Sequence, residues 1–100
     1  MNFQNYQQYD RRLRILQVLL QSSGYRANEP LIVSGLHAMG HMDSRDLVRT
    51  ELCWLKEQGL ISVDEIAGLM IATITARGED VAAGRAIAPG VKRPAPGDDE

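Results

Sequence analysis

Apolar residues recur every three or four positions in three successive stretches of the chain, and this spacing predicts three amphipathic helices. Asn28 and Ser44 stand where the second and third helices should start, because their side chains can accept hydrogen bonds from first-turn amides. The predicted bounds are Tyr6 to Gln21, Asn28 to Gly40, and Asp43 or Ser44 to Gly59. The predicted inner faces are Tyr6, Tyr9, Leu13, Ile15, Leu16, Leu19 and Leu20; Leu31, Ile32, Leu36 and Met39; and Val48, Leu52 and Leu55.

The pattern changes beyond the third helix, where β-branched residues dominate two short stretches, 60–66 and 69–75. Ala67 and Gly68 lie between them and suit a tight hairpin turn, since glycine can take a positive φ. Thr75 can then cap a short last helix. The order helix, helix, helix, strand, strand, helix is that of a winged-helix domain. The sequence therefore predicts a mainly α fold with a small β-hairpin.

The length and composition fit one small domain with a single core, since the chain has 100 residues, of which 44% are hydrophobic. We expect residues 1–84 to form the winged-helix domain. Residues 85–100 contain three prolines and two glycines, and this composition predicts a flexible C-terminal tail. The longest nearly apolar run, 68–76, is too short to span a membrane and no leader opens the chain. We therefore expect a cytoplasmic protein without a membrane partner.

The distribution of charge bears on which partners the chain can bind. Its formal net charge is −2, whereas a domain that binds nucleic acid by itself usually has a basic excess against the phosphates. Residues 1–26 hold four arginines against one aspartate. Residues 44–65, which include the presumed reading helix, hold three basic residues against five acidic ones. The presumed reading surface is therefore the more acidic part of the chain.

The third helix carries the candidate DNA-contacting residues. Arg45, Arg49 and Thr50 lie in its first turns, where a recognition helix enters the major groove, and arginine can make a bidentate contact with guanine. The candidate site is Ser44, Arg45, Arg49 and Thr50. The alternative is a solvated face on which Asp46 and Glu51 pair locally with the arginines.

Charges outside the third helix also bear on DNA binding. Asp64 and Glu65 near the wing tip weaken the DNA interpretation, because a wing that grips DNA usually presents Lys or Arg to the backbone. An acidic wing favours a protein contact or none. The arginines of the first helix could supply phosphate contacts or form the polar side of an amphipathic helix. We favour the second, because three arginines within four positions spread around a helix. These arginines are Arg11, Arg12 and Arg14.

Metal and enzyme chemistry have little support in the sequence. His37, His41 and Cys53 offer metal-ligating groups, but soft metals prefer several thiolates and the chain has one cysteine. Neither a glycine-rich phosphate loop nor a Gly-x-Ser-x-Gly elbow occurs. We therefore expect a protein without enzyme activity, metal or cofactor. Trp54 should pack in the core against the hairpin, and an exposed anchor for a partner is the alternative.

Three stretches of the chain carry a resemblance to a known family. They are DLVRTELCWLKEQGLI (46–61), LMIATITARGEDVAAGR (69–85) and PGVKRPAPG (89–97). With them the chain resembles small winged-helix proteins encoded by Mu-like phages and prophages, often labelled as arsenic-repressor-like (ArsR-like) regulators. The resemblance covers nearly the whole chain. It implies a phage-encoded protein that works in the cytoplasm of a bacterial host and forms a homodimer through its first and last helices.

Two functional hypotheses follow from these observations. The first is a sequence-specific protein that binds double-stranded DNA, regulates phage transcription and, as a dimer, places two third helices in successive major grooves. The second is a non-enzymatic interaction module that binds another phage or host protein through the winged-helix surface. The arginines in the first turns of the third helix favour the first hypothesis, and the acidic balance of residues 44–65 favours the second.

Overall fold

The computed structural model describes residues 2–96, and its elements follow the order that the sequence predicts, with one additional strand. Within these residues, four helices pack with a small antiparallel sheet. The elements are α1 (Phe3–Gln21), β1 (Arg26–Asn28), α2 (Glu29–Ala38), α3 (Arg45–Glu57), β2 (Ile61–Ile66), β3 (Leu69–Ile74) and α4 (Ala76–Ala82). A single 3-10 turn, Ser23–Tyr25, connects α1 to β1. The mainly α, winged-helix-like fold is thus confirmed.

Side-chain caps fix where the helices begin. In each case a side-chain oxygen of the residue before the helix accepts a hydrogen bond from the backbone amide three residues later. The bonds are Asn28 Oδ1 to Leu31 N at 3.0 Å, Ser44 Oγ to Leu47 N at 3.1 Å, and Thr75 Oγ1 to Gly78 N at 3.1 Å. These caps confirm the predicted starts of α2, α3 and α4. The α1 helix begins earlier than the predicted Tyr6, because Asn2 caps it.

The wing is a two-residue hairpin, as the sequence predicts. β2 and β3 pair in antiparallel register up to Ile66 opposite Leu69. Ala67 and Gly68 have positive φ angles of 51° and 80°, as in the primed turns that join twisted strands. The predicted polar loop before α2 contains a third strand, since β1 pairs with β3 and the sheet order is β1-β3-β2. The sequence did not indicate β1 because the strand is short and only its central Ala27 is buried.

One core lies between the helices and the sheet. Its fully buried side chains include Leu13, Leu16, Ile32, Leu36, Val48, Leu52 and Leu55, which confirms most of the predicted inner face of α1, half of that of α2 and all of that of α3. Three predicted core residues are exposed instead, namely Tyr6, Leu31 and Met39. On α2, Gly35 lies so close to Val18 that a Cβ added to it would be 2.7 Å from Val18 Cγ2. Leu31 and Met39 lie one turn before and one turn after Gly35, and their exposed side chains line an open groove beside Val18.

The segment after α4 packs against the domain over part of its length, although its composition predicted a flexible tail from residue 85. Ala88 and Val91 are only 4% and 8% exposed. The backbone amide of Lys92 donates to the carbonyl of Tyr9 in α1 at 3.1 Å. Packing therefore continues to Val91, past the boundary expected at residue 84. Residues 97–100 of the predicted tail lie outside the described residues.

Candidate nucleic-acid interface

The first turns of α3 carry the four residues that the sequence predicts as DNA contacts. Two of them use their hydroxyl groups locally. Ser44 Oγ caps α3, and Thr50 Oγ1 donates to the carbonyl of Asp46 at 3.2 Å. The side chains of Arg45 and Arg49 are 53% and 34% exposed. The two arginines are therefore the groups of this set that bring charge to the surface.

A buried carboxylate, Glu29, holds both arginines. Glu29 is the first residue of α2, and it is fully buried at 0% exposure. Arg49 Nη1 donates to Glu29 Oε2 at 2.6 Å, and Arg45 Nε donates to Glu29 Oε1 at 3.2 Å. The backbone amide of Met70 donates to Glu29 Oε2 at 2.6 Å. Glu29 therefore joins the start of α2, the reading helix α3 and the wing strand β3.

The position of Glu29 follows from how the chain leaves the sheet. β1 ends at Asn28, opposite Ile71, so the backbone of β1 no longer pairs with the next residue of β3, Met70. The Glu29 carboxylate accepts the Met70 amide and completes the ladder where the backbone has turned into α2. No sequence pattern indicated this role, because a glutamate suits the first turn of any helix. A prediction of strand β1 from the sequence would have indicated that Glu29 lies beside β3.

Glu29 remains ionised despite its burial. Burial alone would raise the pKa of Glu29, but the hydrogen bonds from the Met70 amide, Arg49 and Arg45 outweigh it, so the pKa lies below its ordinary value. In return, the hydrogen bond to Glu29 raises the pKa of Arg49. The carboxylate therefore neutralises part of the positive charge on this face of α3.

The two arginines differ in the groups that they leave for a ligand. Arg49 is engaged at both terminal nitrogens, since Nη1 also lies 3.4 Å from the Gly68 carbonyl and Nη2 lies 3.7 Å from the Glu65 carboxylate. Arg45 is held at Nε, and within residues 2–96 neither Nη1 nor Nη2 has a hydrogen-bond partner. A guanidinium edge with two N–H groups is the pattern that pairs with guanine or with phosphate. Arg45 is therefore the group best suited to contact DNA.

The alternative in which Glu51 pairs with the arginines on the outer face of α3 is wrong, because Glu51 turns inward. It is 1% exposed, and it accepts hydrogen bonds from Arg11 Nη1 and Arg12 Nε at 3.0 Å each. Arg12 also lies 3.7 Å from the ring centre of Trp54 and donates to the Gly90 carbonyl at 3.1 Å. The prediction that Arg12 lies on a solvated polar side of α1 is wrong, because a buried counter-charge from α3 draws it inward. Trp54 is partly buried and packs against the core, as the sequence predicts, and its ring also contacts Arg12 and lies beside Gly90 of the C-terminal segment.

Further ion pairs tie α1 to the α2–α3 turn and to the C-terminal segment. Arg11 Nε donates to Asp43 Oδ2 at 2.7 Å. Asp10 lies 2.7 Å from His41 Nε2 and 3.3 Å from Lys92 Nζ. Burial raises the pKa of Asp10, but the hydrogen bond with His41 and the nearby positive charges lower it overall. These contacts engage Arg11 and Lys92 within the protein, away from any phosphate.

The wing tip is acidic and partly apolar. Asp64 is exposed, as are 59% of the Glu65 side chain and 57% of Ile66. Arg49 reaches the wing through the Gly68 carbonyl and so holds the turn against α3. Arg45 and Arg49 lie beside Glu29, Arg49 also lies near Glu65, and Asp46 directly follows Arg45 in the first turn of α3. The charge around the candidate interface is therefore negative on balance.

The histidines and the cysteine do not come together. Cys53 is exposed on α3, His41 bonds to Asp10, and His37 Nε2 lies 3.4 Å from the Asp43 carbonyl. In the described part of the chain, no group of three or more His, Cys, Asp or Glu side chains could hold a metal ion.

No helix within residues 2–96 has the length and hydrophobicity needed to cross a membrane.

Fold and site together define a small protein of winged-helix-like fold whose third helix presents one arginine edge that is open among the described residues. The chain is 48% identical over 87 residues to the uncharacterized protein gp26 of Escherichia phage Mu, an alignment that covers 87% of this chain and 90% of gp26. It is 49% identical over 78 residues to an uncharacterized protein of Haemophilus influenzae, which covers 77% of this chain and 76% of that protein. The chain therefore belongs to the family of phage Mu gp26. No family model and no solved structure matches it, so the arsenic-repressor-like label stays a prediction.

Proposed function

We propose that this protein is a non-enzymatic, sequence-specific DNA-binding protein that inserts α3 into the major groove. The observation that supports this most directly is Arg45, which lies in the first turn of α3, is half exposed and keeps its Nη edge open among the described residues. In helix-turn-helix proteins, the first residues of the reading helix contact base edges. Membership of the phage Mu gp26 family supports a phage-related protein, and the arsenic-repressor resemblance implies a regulator of phage or prophage transcription.

Phosphate neutralisation contributes little to the proposed binding. Arg49 is tied to Glu29 and Glu65, and the wing tip is acidic, so the first turns of α3 and the wing tip offer one or two cations per protomer to the DNA. Each neutralised phosphate contributes about −0.9 to the slope of log affinity against log salt. For a dimer, this predicts a slope between about −2 and −4, which is shallow for a protein that binds DNA.

The proposed active form is a homodimer, because two reading helices in successive major grooves double the base contacts. Exposed apolar side chains at the start of α1 and in the C-terminal segment support such pairing. They are Phe3, Tyr6 and Ile87, which are 71%, 48% and 62% exposed. Phe3 and Tyr6 lie on α1 and Ile87 lies just after α4, close to the first and last helices through which the resemblance implies that the dimer forms. Sedimentation velocity should show a dimer at micromolar concentration, and a monomer throughout would contradict this part of the proposal.

Fluorescence anisotropy with labelled duplexes from phage DNA tests DNA binding. At about 50 mM salt we expect submicromolar affinity for at least one duplex. Arg45→Ala should weaken that affinity about tenfold or more, because one good base contact contributes about 1–3 kcal/mol. Arg77→Ala removes an exposed arginine of α4 that bonds to the Gln58 carbonyl, and it should bind as the wild type does. Wild-type affinity no better than about micromolar at this salt concentration would end the proposal.

A second candidate function is an interaction module that binds another phage or host protein. The acidic wing tip favours it, because Asp64, Glu65 and Ile66 are exposed where DNA-gripping wings usually carry basic side chains. Pull-down from phage-carrying cells should then recover a protein partner. Its binding should resist nuclease treatment, be unaffected by Arg45→Ala and be lost with Ile66→Asp. Recovery of DNA alone would count against this second function.

A further inference from the structure

Glu29 is fully buried and yet bonded to both arginines of the candidate DNA surface. We propose that Glu29 is the positioning residue of α3: it sets the direction in which Arg45 presents its guanidinium and so determines which base the helix prefers. This inference rests on the proposed DNA-binding function and deepens it, because it names the feature of the duplex that is read.

The bond to Glu29 gives Arg45 a defined orientation. A guanidinium is planar, so holding Nε against Glu29 Oε1 at 3.2 Å restrains the plane of the whole group. The direction of the Nη1 and Nη2 edge is then set by Glu29 in α2 and depends less on the rotamers of the flexible arginine side chain. Such an edge matches the O6 and N7 acceptors that guanine presents in the major groove. The inferred ligand is therefore a duplex with guanine at the position that Arg45 reaches.

The same carboxylate connects the wing to α3. Glu29 Oε2 accepts both Arg49 Nη1 and the Met70 amide at 2.6 Å. Arg49 Nη1 also reaches the carbonyl of Gly68 in the turn of the hairpin. The wing and the reading helix therefore share one anchor, and a change at Glu29 should alter both the direction of Arg45 and the placement of the wing turn.

The proposed effect of Glu29 on the orientation of Arg45 can be separated from its effect on general DNA attraction, because the negative charge of Glu29 opposes phosphate binding. Burial acts to raise the pKa of Glu29, but the bonds from the Met70 amide and the arginines lower it, so the charge persists at neutral pH. Removing this charge should strengthen general attraction to DNA while discrimination between sequences falls. A purely structural role would weaken both together.

The test compares two ligands of the full-length protein by anisotropy: the duplex that the wild type enriches from a random library, and the random pool itself. Glu29→Gln keeps the side-chain shape but removes the charge. We expect the ratio of the two affinities to fall about tenfold or more, while affinity for the random pool stays equal or rises. Arg45→Lys keeps the charge, lacks Nε and should lose the same discrimination. Glu57→Gln, at an exposed position of α3, is the control and should change neither affinity.

NMR of the unbound protein gives a second readout that does not depend on DNA. The Nε–Hε signal of Arg45 should exchange slowly with water in the wild type and rapidly in Glu29→Gln. The exposed Arg26 supplies the rapid reference. Wild-type exchange at Arg45 as fast as at Arg26 overturns the inference, even if Glu29→Gln fails to fold.

The binding outcomes separate the two proposals. If the wild type enriches a duplex and Glu29→Gln keeps full discrimination, the positioning role is wrong while DNA binding stands. If the wild type enriches no duplex, the proposed function fails and the reading role of Glu29 fails with it. The NMR exchange rates then still decide whether Glu29 orients Arg45.

Discussion

Replacing Glu51 by alanine should strongly destabilise the domain. Glu51 is 1% exposed, and its carboxylate is the counter-charge shared by Arg11 and Arg12 at 3.0 Å each. The side chains of these arginines are only 11% and 9% exposed, so the substitution leaves positive charge buried with less compensation. Removing one partner of a buried ion pair costs about 3–5 kcal/mol in free energy of unfolding.

The remaining contacts place the expected loss at the lower end of this range. Arg11 keeps Asp43 at 2.7 Å, and Arg12 keeps the Gly90 carbonyl and the Trp54 ring. We therefore expect Glu51→Ala to lower the free energy of unfolding by about 3 kcal/mol. For a domain of this size, such a loss lowers the melting temperature by about 12–24 °C. Glu51→Gln should lose less, because it keeps the shape and an acceptor oxygen.

Urea unfolding measures this loss, and the single tryptophan, Trp54, reports on the same network through its fluorescence. Glu57→Ala is the matched control, because Glu57 lies on the same helix and is exposed. It should change the free energy of unfolding by less than about 0.5 kcal/mol. A loss below about 1 kcal/mol for Glu51→Ala would refute the account of these charges as a buried and mutually dependent set, since that is the range of surface pairs.

Gly90→Ala should lower the free energy of unfolding by about 1–2 kcal/mol, because Gly90 has a positive φ of 95°. The loss should be larger than this backbone contribution, because the added Cβ would lie 2.8 Å from Trp54 Cζ2. Gly40→Ala is the control, because Gly40 has a similar φ of 92° but open space around it, so its substitution measures the backbone contribution alone. Equal losses of unfolding free energy for the two variants in urea would show that Gly90 does not contact Trp54. Burial acts to raise the pKa of Glu29, but its hydrogen bonds lower this pKa overall. The ionised Glu29 therefore stabilises the fold above its unfolded pKa of about 4.3, and this stabilisation is lost as the pH falls through the lower folded pKa. Glu29→Gln should therefore flatten the fall in unfolding free energy below about pH 5, and an acid profile identical to that of the wild type would contradict this.

The features that the sequence predicted are those that depend on near neighbours in the chain. Asn28, Ser44 and Thr75 each cap a helix through an amide three residues away. The turn at Ala67 and Gly68 follows from the dihedral angles that a two-residue hairpin requires. The predicted location of Arg45 and Arg49 in the first turns of α3 is likewise a local result, whereas their contact with DNA stays a prediction.

The features that escaped prediction depend on contacts between distant parts of the chain. Glu29 bonds to Met70, 41 positions away, and Arg12 bonds to Gly90, 78 positions away. A carboxylate in the first turn of a helix has the same local signature whether it is solvated or buried. Its environment is decided by which arginines another helix brings to it, and no periodicity in the sequence records that. For the same reason the sequence leaves open a local pairing of Glu51 with the arginines of α3, although Glu51 is buried and bonds to Arg11 and Arg12 of α1.

Amide chemical-shift mapping with an enriched duplex tests most directly whether α3 reads DNA through Arg45. We expect the largest shifts at residues 44–50, together with a shift of the Arg45 Nε–Hε signal. The amides of the acidic wing tip, 64–66, should change little. Shifts confined to the wing tip, or no shift anywhere at saturating duplex, would contradict the proposed role of α3.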